Sequence, residues 1–229
     1  MRRDLGLPAH ISACLFDLDG VITQTAKVHA QARKQTFDEF HIPFEIVPDY
    51  AAYVDGKPRA DGVRSVLAAR DIDPTPDLVN AIAMKKDTFF LDLIHRDGVQ
   101  TYDSSVRYIR AARAAGLKVA VVSSSKHTTE VLRASHLDGD FDAQVDGNVA
   151  ERDHLPGKPT PDTYLAAATM LQKLPANAAV YEDALAGVEA GRAGHFGLVV
   201  CIDRAGQADA LRAHGADIVV QDLAQLMNS

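Results

Sequence analysis

Two aspartates near the start of the chain, Asp17 and Asp19, have the type and spacing for metal or phosphoryl chemistry. They follow an apolar run typical of a buried strand, and residues i and i+2 of a strand share one face. Carboxylates brought together in this way repel one another unless a cation or a proton separates them, and a hard divalent ion such as Mg²⁺ suits that role. An Asp-x-Asp-Gly segment is also an ordinary turn after a strand, so this motif alone leaves both interpretations open.

Three further polar sites follow other apolar runs or lie in loops: Ser123, Lys158 and the pair Glu182-Asp183. Each has an ordinary structural explanation, since serine caps helices, lysine is usually solvated, and acidic residues favour the start of a helix. The strands of an open α/β sheet, however, bind ligands at their carboxyl ends. Carboxylates, a hydroxyl and a lysine gathered at that edge would form a set suited to phosphoryl transfer.

The elements that must position these groups are short strands that alternate with helices. One strand is predicted at 11–16, and a regular alternation begins after Gly98. Further strands are predicted at 117–122, 141–145, 178–181, 197–202 and 217–220, with helices at 104–115, 128–135, 161–174, 184–193 and 207–213. This alternation predicts right-handed βαβ units and an α/β fold with a doubly wound parallel sheet, covered on both faces.

The stretch between the first strand and Gly98 has a different pattern. Helices are predicted at about 25–40, 61–70 and 77–94, with irregular chain at 48–58 and no long strand between them. We therefore expect residues 1–24 and 98–229 to form the α/β core domain. Residues 25–97 are expected to form an inserted helical domain.

Composition restricts the class of partner. The chain has 229 residues, a net charge of −7 and no basic run, so bulk electrostatics argue against nucleic acid. The cysteines, Cys14 and Cys201, lie in apolar runs, and we expect them to be reduced core residues of a cytoplasmic protein. The apolar run at 11–16 is too short for a signal or transmembrane segment, so no membrane partner is expected.

Four segments match, in order, the four motifs of the haloacid dehalogenase superfamily, which the chain resembles over essentially its whole length: Phe16-Asp17-Leu18-Asp19-Gly20-Val21, Ser123, Lys158-Pro159 and Glu182-Asp183. The resemblance implies the superfamily's Rossmann-like core. It also implies that Asp17 is the nucleophile that takes the phosphoryl group as an aspartyl phosphate. Asp19, two residues on, would be the general acid and base on the cap side.

The same resemblance implies Mg²⁺ as the cofactor. Its ligands would be Asp17, the backbone carbonyl of Asp19, Asp183 and, directly or through water, Glu182. The phosphoryl oxygens would be held by Ser123, with Ser124 beside it, and by Lys158. An anionic nucleophile that attacks a phosphate dianion needs cations to offset the repulsion, and Mg²⁺ and Lys158 would supply them.

The inserted helices resemble the cap of the superfamily's first subclass, and four positions resemble those of its β-phosphoglucomutases: Thr25, His29, Gly56 and Arg59. The resemblance implies that Arg59 grips the distal phosphate of a sugar bisphosphate, and a planar guanidinium suits that role. Thr25 and His29 match hinge and proton-gating positions. A cap lysine is also expected, and of the two candidates, Lys85 and Lys86, we prefer Lys86. Alternatively, Arg59 could be a surface residue at a helix start, and His29 a solvated helix residue.

Four positions depart from the pattern of those mutases: Gln24 in place of aspartate, Arg33 near the place of an aromatic residue, Ser124 in place of alanine and His127 in place of asparagine. None of them touches the four core motifs. Together they leave open whether the enzyme transfers the phosphoryl group to a sugar or to water.

The resemblance thus predicts Mg²⁺-dependent phosphoryl transfer on a sugar phosphate through an aspartyl phosphate. The leading hypothesis is a mutase that converts β-glucose 1-phosphate to glucose 6-phosphate, with glucose 1,6-bisphosphate as the activating intermediate. The alternative is a phosphatase of small phosphomonoesters, and a more distant one is a catalytically silent module that binds phosphate or metal. We expect a monomer whose partner is the small-molecule sugar phosphate.

Overall fold

The computed structural model describes residues 5–54 and 57–227, so Gly56 lies outside the described residues. Six strands in this part of the chain form one parallel sheet in the order β3-β2-β1-β4-β5-β6. Their bounds are β1 Ala13–Phe16, β2 Lys118–Val122, β3 Ala143–Val145, β4 Ala178–Glu182, β5 Leu198–Ile202 and β6 Ile218–Val220. The predicted parallel α/β sheet is therefore confirmed.

The helices of the α/β core pack on both faces of this sheet. They are α4 Asp103–Ala114, α5 Thr128–Ala134, α6 Gly147–Arg152, α7 Asp162–Met170, α8 Leu185–Ala193 and α9 Ala208–Ala213. Successive β1 residues face opposite sides of the sheet, so Cys14 and Phe16 pack in one apolar cluster while Ala13 and Leu15 pack in another. All four β1 residues are buried, which explains why the strand is a continuous apolar run without alternation.

A helical cap lies between β1 and α4. It contains α1 Thr25–Glu39, a π-helical segment Ile46–Val54, α2 Arg59–Ala68 and α3 Pro76–Asp97. These elements share an apolar cluster of their own, in which the rings of Phe37 and Phe44 stack with centroids 4.9 Å apart. A separate cluster is what an inserted domain would need, and the division at residues 25 and 97 stays a prediction.

Several predicted boundaries were wrong for local reasons. The stretch 48–58 was expected to be irregular, but its first part is helical as far as Val54. Helix α6 was missed because it is short; the Asp146 carboxylate accepts hydrogen bonds from its first N–H groups. Helix α7 ends at Met170 and not at 174, because Gln172 adopts a left-handed φ of 56°.

Both cysteines are buried and free, as expected from their apolar surroundings. Within 5–54 and 57–227, no helix combines the length and the apolar character needed to cross a membrane.

Candidate active site

The predicted chemical groups meet at the carboxyl edge of the three central strands. Asp17 and Asp19 follow β1, Ser123 follows β2, and Glu182 and Asp183 lie at the end of β4. The chain leaves β1 toward β2 on one side, whereas β4 to β6 lie on the other, so this edge is the switch point where open α/β sheets bind ligands. These residues are far apart in the sequence, and they meet only because the strands pair in this order.

Lys158 reaches this edge from the loop before α7, and it is buried. Its Nζ lies 2.5 Å from Oδ1 of Asp17 and 2.7 Å from Oε1 of Glu182, and it donates to the carbonyl of Val122 at 3.3 Å. Burial alone would lower the pKa of Lys158, but the carboxylates of Asp17 and Glu182 outweigh burial and raise it. The lysine is therefore a fixed cation between two carboxylates, and not a solvated loop residue.

Glu182 is fully engaged by the protein. Besides Lys158, its Oε1 accepts a hydrogen bond from the Tyr164 hydroxyl at 2.7 Å, and its Oε2 accepts from the backbone N–H groups of Asp183 and Ala184. A carboxylate with this many donors has little capacity left for a direct bond to a metal. Glu182 is therefore better placed to contact a metal through water.

The carboxylates of Asp17, Glu182 and Asp183 offer oxygen atoms that all lie within 4.8 Å of one another. Burial raises the pKa of Asp17, and the nearby carboxylates of Glu182 and Asp19 raise it further against the opposing effect of Lys158. The cluster thus carries more negative charge than the lysine balances. An all-oxygen set with excess negative charge fits a hard divalent cation.

Gly20 leaves space for this cluster. It has a φ of 87°, and a Cβ at this position would overlap the Asp183 carboxylate. Glycine is required here both for the left-handed backbone and for the close approach of Asp183. The Asp-x-Asp-Gly segment is therefore packed against the Asp183 carboxylate, and is more than a turn.

The Asp19 carboxylate has a different environment from that of Asp17. Its Oδ1 accepts a short hydrogen bond from the Thr25 hydroxyl and lies 3.3 Å from Nε2 of His29. Burial alone would raise its pKa, but His29 and Thr25, with the charge of Lys86, outweigh burial and lower it to about 2. The side-by-side carboxylates of a regular strand are not formed, because β1 ends at Phe16 and Asp19 turns toward the cap.

Two cap residues, Lys86 and His29, form a chain that leads to Asp19. Nδ1 of His29 lies 2.8 Å from Nζ of Lys86, and both side chains pack on the ring of Phe90. Burial lowers the pKa of His29 to about 4, and burial also lowers the pKa of Lys86. His29 is thus buried at the site and not solvated. Of the two cap lysine candidates, Lys86 is the one in the cleft, whereas Lys85 pairs with Glu39 at 3.0 Å on the surface.

Arg59 is the first residue of α2, and its guanidinium faces the cleft between cap and core. Nη1 of Arg59 pairs with Oδ2 of Asp87 on α3, and the same oxygen lies 3.4 Å from Nε2 of His127 on the core domain. Asp87 and Tyr164 were missed by sequence reasoning, because only the packing of distant elements gives them a place at the site.

Ser123 is buried, and its role differs from that of a helix cap. Its Oγ accepts a hydrogen bond from the N–H of Ser125 at 3.1 Å and lies 3.5 Å from Oδ2 of Asp19. The next serine, Ser124, lines the cleft. The structure thus gathers the predicted residues at one cleft, apart from Gly56.

Comparisons with known proteins agree with this arrangement. The sequence model of a haloacid dehalogenase-like hydrolase matches residues 11–195. A beta-phosphoglucomutase of Mycobacterium bovis is 48% identical over 98% of this chain and 95% of its own length. A beta-phosphoglucomutase of Bacillus subtilis is 31% identical over 94% of this chain and 92% of its own length. A hydrolase from Pseudomonas syringae has a similar fold, with a TM-score of 0.84 at 23% identity over 95% of this chain and 96% of that one.

Proposed function

The chain belongs to the haloacid dehalogenase-like hydrolase family, and on that premise we propose that it converts β-glucose 1-phosphate to glucose 6-phosphate. The observation that carries the proposal is one cleft with two different walls. The core wall presents Asp17, Lys158 and the acidic cluster, and the cap wall presents Arg59. A sugar bisphosphate has two anionic ends that require two such sites. The 48% identity to a beta-phosphoglucomutase supports the same conclusion.

Asp17 is the proposed nucleophile. One of its carboxylate oxygens would attack the phosphorus atom, and the sugar oxygen would leave with the electron pair of the broken bond. Lys158, at 2.5 Å, fixes the orientation of the Asp17 carboxylate and places a positive charge where phosphoryl oxygens would lie. Ser123 and Ser124 would add donors to the same oxygens.

The proposed cofactor is Mg²⁺, with Asp17, Asp183 and the backbone carbonyl of Asp19 as ligands and Glu182 in contact through water. When bound, the ion offsets the negative charge of the phosphoryl group and of the carboxylates around it. The N–H, Tyr164 and Lys158 contacts of Glu182 hold the acidic cluster in position for that role.

Asp19 is the proposed general base and acid. Its lowered pKa of about 2 keeps it ionised, so that it can accept the proton of the sugar hydroxyl that attacks the aspartyl phosphate. In the opposite half-reaction the protonated Asp19 returns that proton to the sugar oxygen that leaves. Thr25 and His29 hold the carboxylate in orientation for both steps.

Arg59 is proposed to hold the phosphate that does not react. The sugar bisphosphate would bind in two orientations, with one phosphate at Asp17 and the other at Arg59. Contacts between cap and core, such as Asp19 with His29, would close the cleft and exclude water from the aspartyl phosphate. We also propose that the protein acts as a monomer in the cytoplasm and that its substrate is a small molecule.

A phosphatase is the second candidate, because the core groups alone would suffice for it. Water would then attack the phosphorylated Asp17, and Asp19 would take the proton of that water. The Mycobacterium and Bacillus relatives favour the mutase, whereas the departures at Gln24, Ser124 and His127 are compatible with either acceptor.

The test is incubation of the protein with β-glucose 1-phosphate, Mg²⁺ and a trace of glucose 1,6-bisphosphate, with glucose 6-phosphate and free phosphate both measured. Formation of glucose 6-phosphate that depends on the bisphosphate supports the mutase. Release of phosphate without glucose 6-phosphate replaces it with the phosphatase.

A further inference from the structure

Asp87 is a carboxylate in a cleft that is proposed to bind phosphate. It lies in the middle of α3, next to Lys86, and only about a fifth of its side chain is exposed. A fixed negative charge close to a bound phosphate would repel it. Its presence at the cleft therefore requires a specific explanation.

The contacts of Asp87 supply that explanation. Its Oδ2 atom pairs with Nη1 of Arg59 from the cap and lies 3.4 Å from Nε2 of His127 from the core domain. One anionic oxygen is thus placed between a donor of each domain. All three side chains line the same cleft.

His127 has capacity for an additional acceptor. Its Nε2 is buried and has no hydrogen bond of good geometry among the described residues, so the carboxylate at 3.4 Å satisfies it poorly. Its ring packs near that of Phe90, with ring centroids 5.7 Å apart, which holds the imidazole in place. With the ring proton on Nε2, a ligand oxygen between Arg59 and His127 would satisfy both groups better than Asp87 does.

We propose that Asp87 is a specificity-determining residue that occupies, with one carboxylate oxygen, the place of an oxygen of the substrate's second phosphate. The inference rests on the proposed function, because it takes Arg59 as the group that holds that phosphate. A phosphate dianion displaces Asp87 from Arg59 and His127, since it carries more charge and more acceptor oxygens than a carboxylate. A ligand with no second anionic group leaves Asp87 in place and gains nothing from Arg59.

The experiment is isothermal titration calorimetry with glucose 6-phosphate in the presence of Mg²⁺ and fluoroberyllate, on the parent protein and on Asp87→Asn. Fluoroberyllate takes the place of the phosphoryl group on Asp17, so the phosphate of the sugar is the second anionic group. Asparagine keeps the size of the side chain and removes the charge that competes for Arg59. We expect Asp87→Asn to bind at least about fivefold more tightly, at the lower end of ordinary coupling between sites. The matched control is Asp92→Asn, which removes an exposed carboxylate of the same helix and should not change the affinity.

If the role of Asp87 is to position Arg59, the substitution should change the affinity in the opposite direction. If Asp87 only holds Arg59 in place, Asp87→Asn weakens binding toward the level of Arg59→Ala, and this result overturns the proposal, as does an unchanged affinity. Asp87→Ser, expected to tighten binding in the same direction, provides a second variant if the first melts early by circular dichroism. Tighter binding by a protein that forms no glucose 6-phosphate would contradict the mutase and leave this inference standing. Formation of glucose 6-phosphate by the parent protein, without tighter binding by Asp87→Asn, would support the mutase and overturn this inference.

Discussion

Nδ1 of His29 lies 2.8 Å from Nζ of Lys86, while Nε2 of the same ring lies 3.3 Å from Oδ1 of Asp19. The ionised carboxylate of Asp19 can only accept, so the ring carries its proton on Nε2, directed at Asp19, and Nδ1 of the neutral ring accepts from Lys86. The lowered pKa of His29, about 4, agrees with a neutral ring. The cap thus supplies a hydrogen-bond chain that ends on the proposed acid and base.

Replacement of His29 by glutamine should move the pH dependence of the isomerisation. His29 helps to lower the pKa of Asp19 to about 2, against the effect of burial, so its loss should raise that pKa. As the solution is acidified, Asp19 then becomes protonated and inactive as a base at a higher pH than in the parent. The acidic limb of the kcat/KM profile therefore shifts to higher pH. The profile of the variant is compared with that of the parent on the same substrate, so that titration of the substrate phosphate cancels. An unshifted acidic limb would remove Asp19 from the role of base or His29 from its control.

Asp17→Asn should abolish phosphoryl transfer and leave the fold intact. The side chain keeps its shape, and the loss of one charge relieves repulsion among the buried carboxylates that raise the pKa of Asp17. Trapping with fluoroberyllate, which mimics an aspartyl phosphate, should succeed in the parent and fail in the variant. Circular dichroism serves as the control for folding, and a phosphoryl label recovered on serine or histidine would contradict the assignment.

Substitutions at the two acidic residues at the end of β4, Glu182 and Asp183, should have different consequences. Asp183→Asn should weaken Mg²⁺ binding, measured by calorimetry, with little change in the melting temperature. Glu182→Gln should lower the melting temperature more, because Glu182 is buried with Lys158 and Tyr164 as partners. Breaking a buried pair of this kind costs about 3–5 kcal/mol. If Glu182→Gln changes only the metal affinity, the assignment of Asp183 as the direct metal ligand and of Glu182 as the residue in contact through water is wrong.

Arg59→Ala should separate the two activities of the site. We expect loss of the guanidinium to reduce transition-state stabilisation for isomerisation by about 2–4 kcal/mol, which is the usual cost of removing a charged hydrogen-bonding partner from an active site. Hydrolysis of acetyl phosphate needs only the core groups and should change far less. Arg64→Ala, at an exposed arginine of the same helix, is the matched control. Equal losses in both activities would make Arg59 a structural residue.

The sequence predicted the site better where a residue follows a buried strand. Asp17, Ser123 and Glu182 could be placed because apolar runs mark the strands, and parallel strands end at one edge. The position of Lys158 depends on contacts with Asp17 across 141 residues of chain, so the sequence identified this lysine only as a loop residue that could join the site. The pairing of Asp87 with Arg59 and His127 had no sequence signal, since it arises from packing of the cap on the core.

The most direct test of the account is the fate of the phosphoryl group on Asp17. Acetyl phosphate is used to phosphorylate the protein in the presence of Mg²⁺, β-glucose 1-phosphate is added, and ³¹P nuclear magnetic resonance follows sugar bisphosphate, glucose 6-phosphate and free phosphate together. The account predicts that added sugar diverts the phosphoryl group from water to the sugar, so that bisphosphate and then glucose 6-phosphate appear. Release of free phosphate at the same rate with and without the sugar, and no bisphosphate, would contradict it.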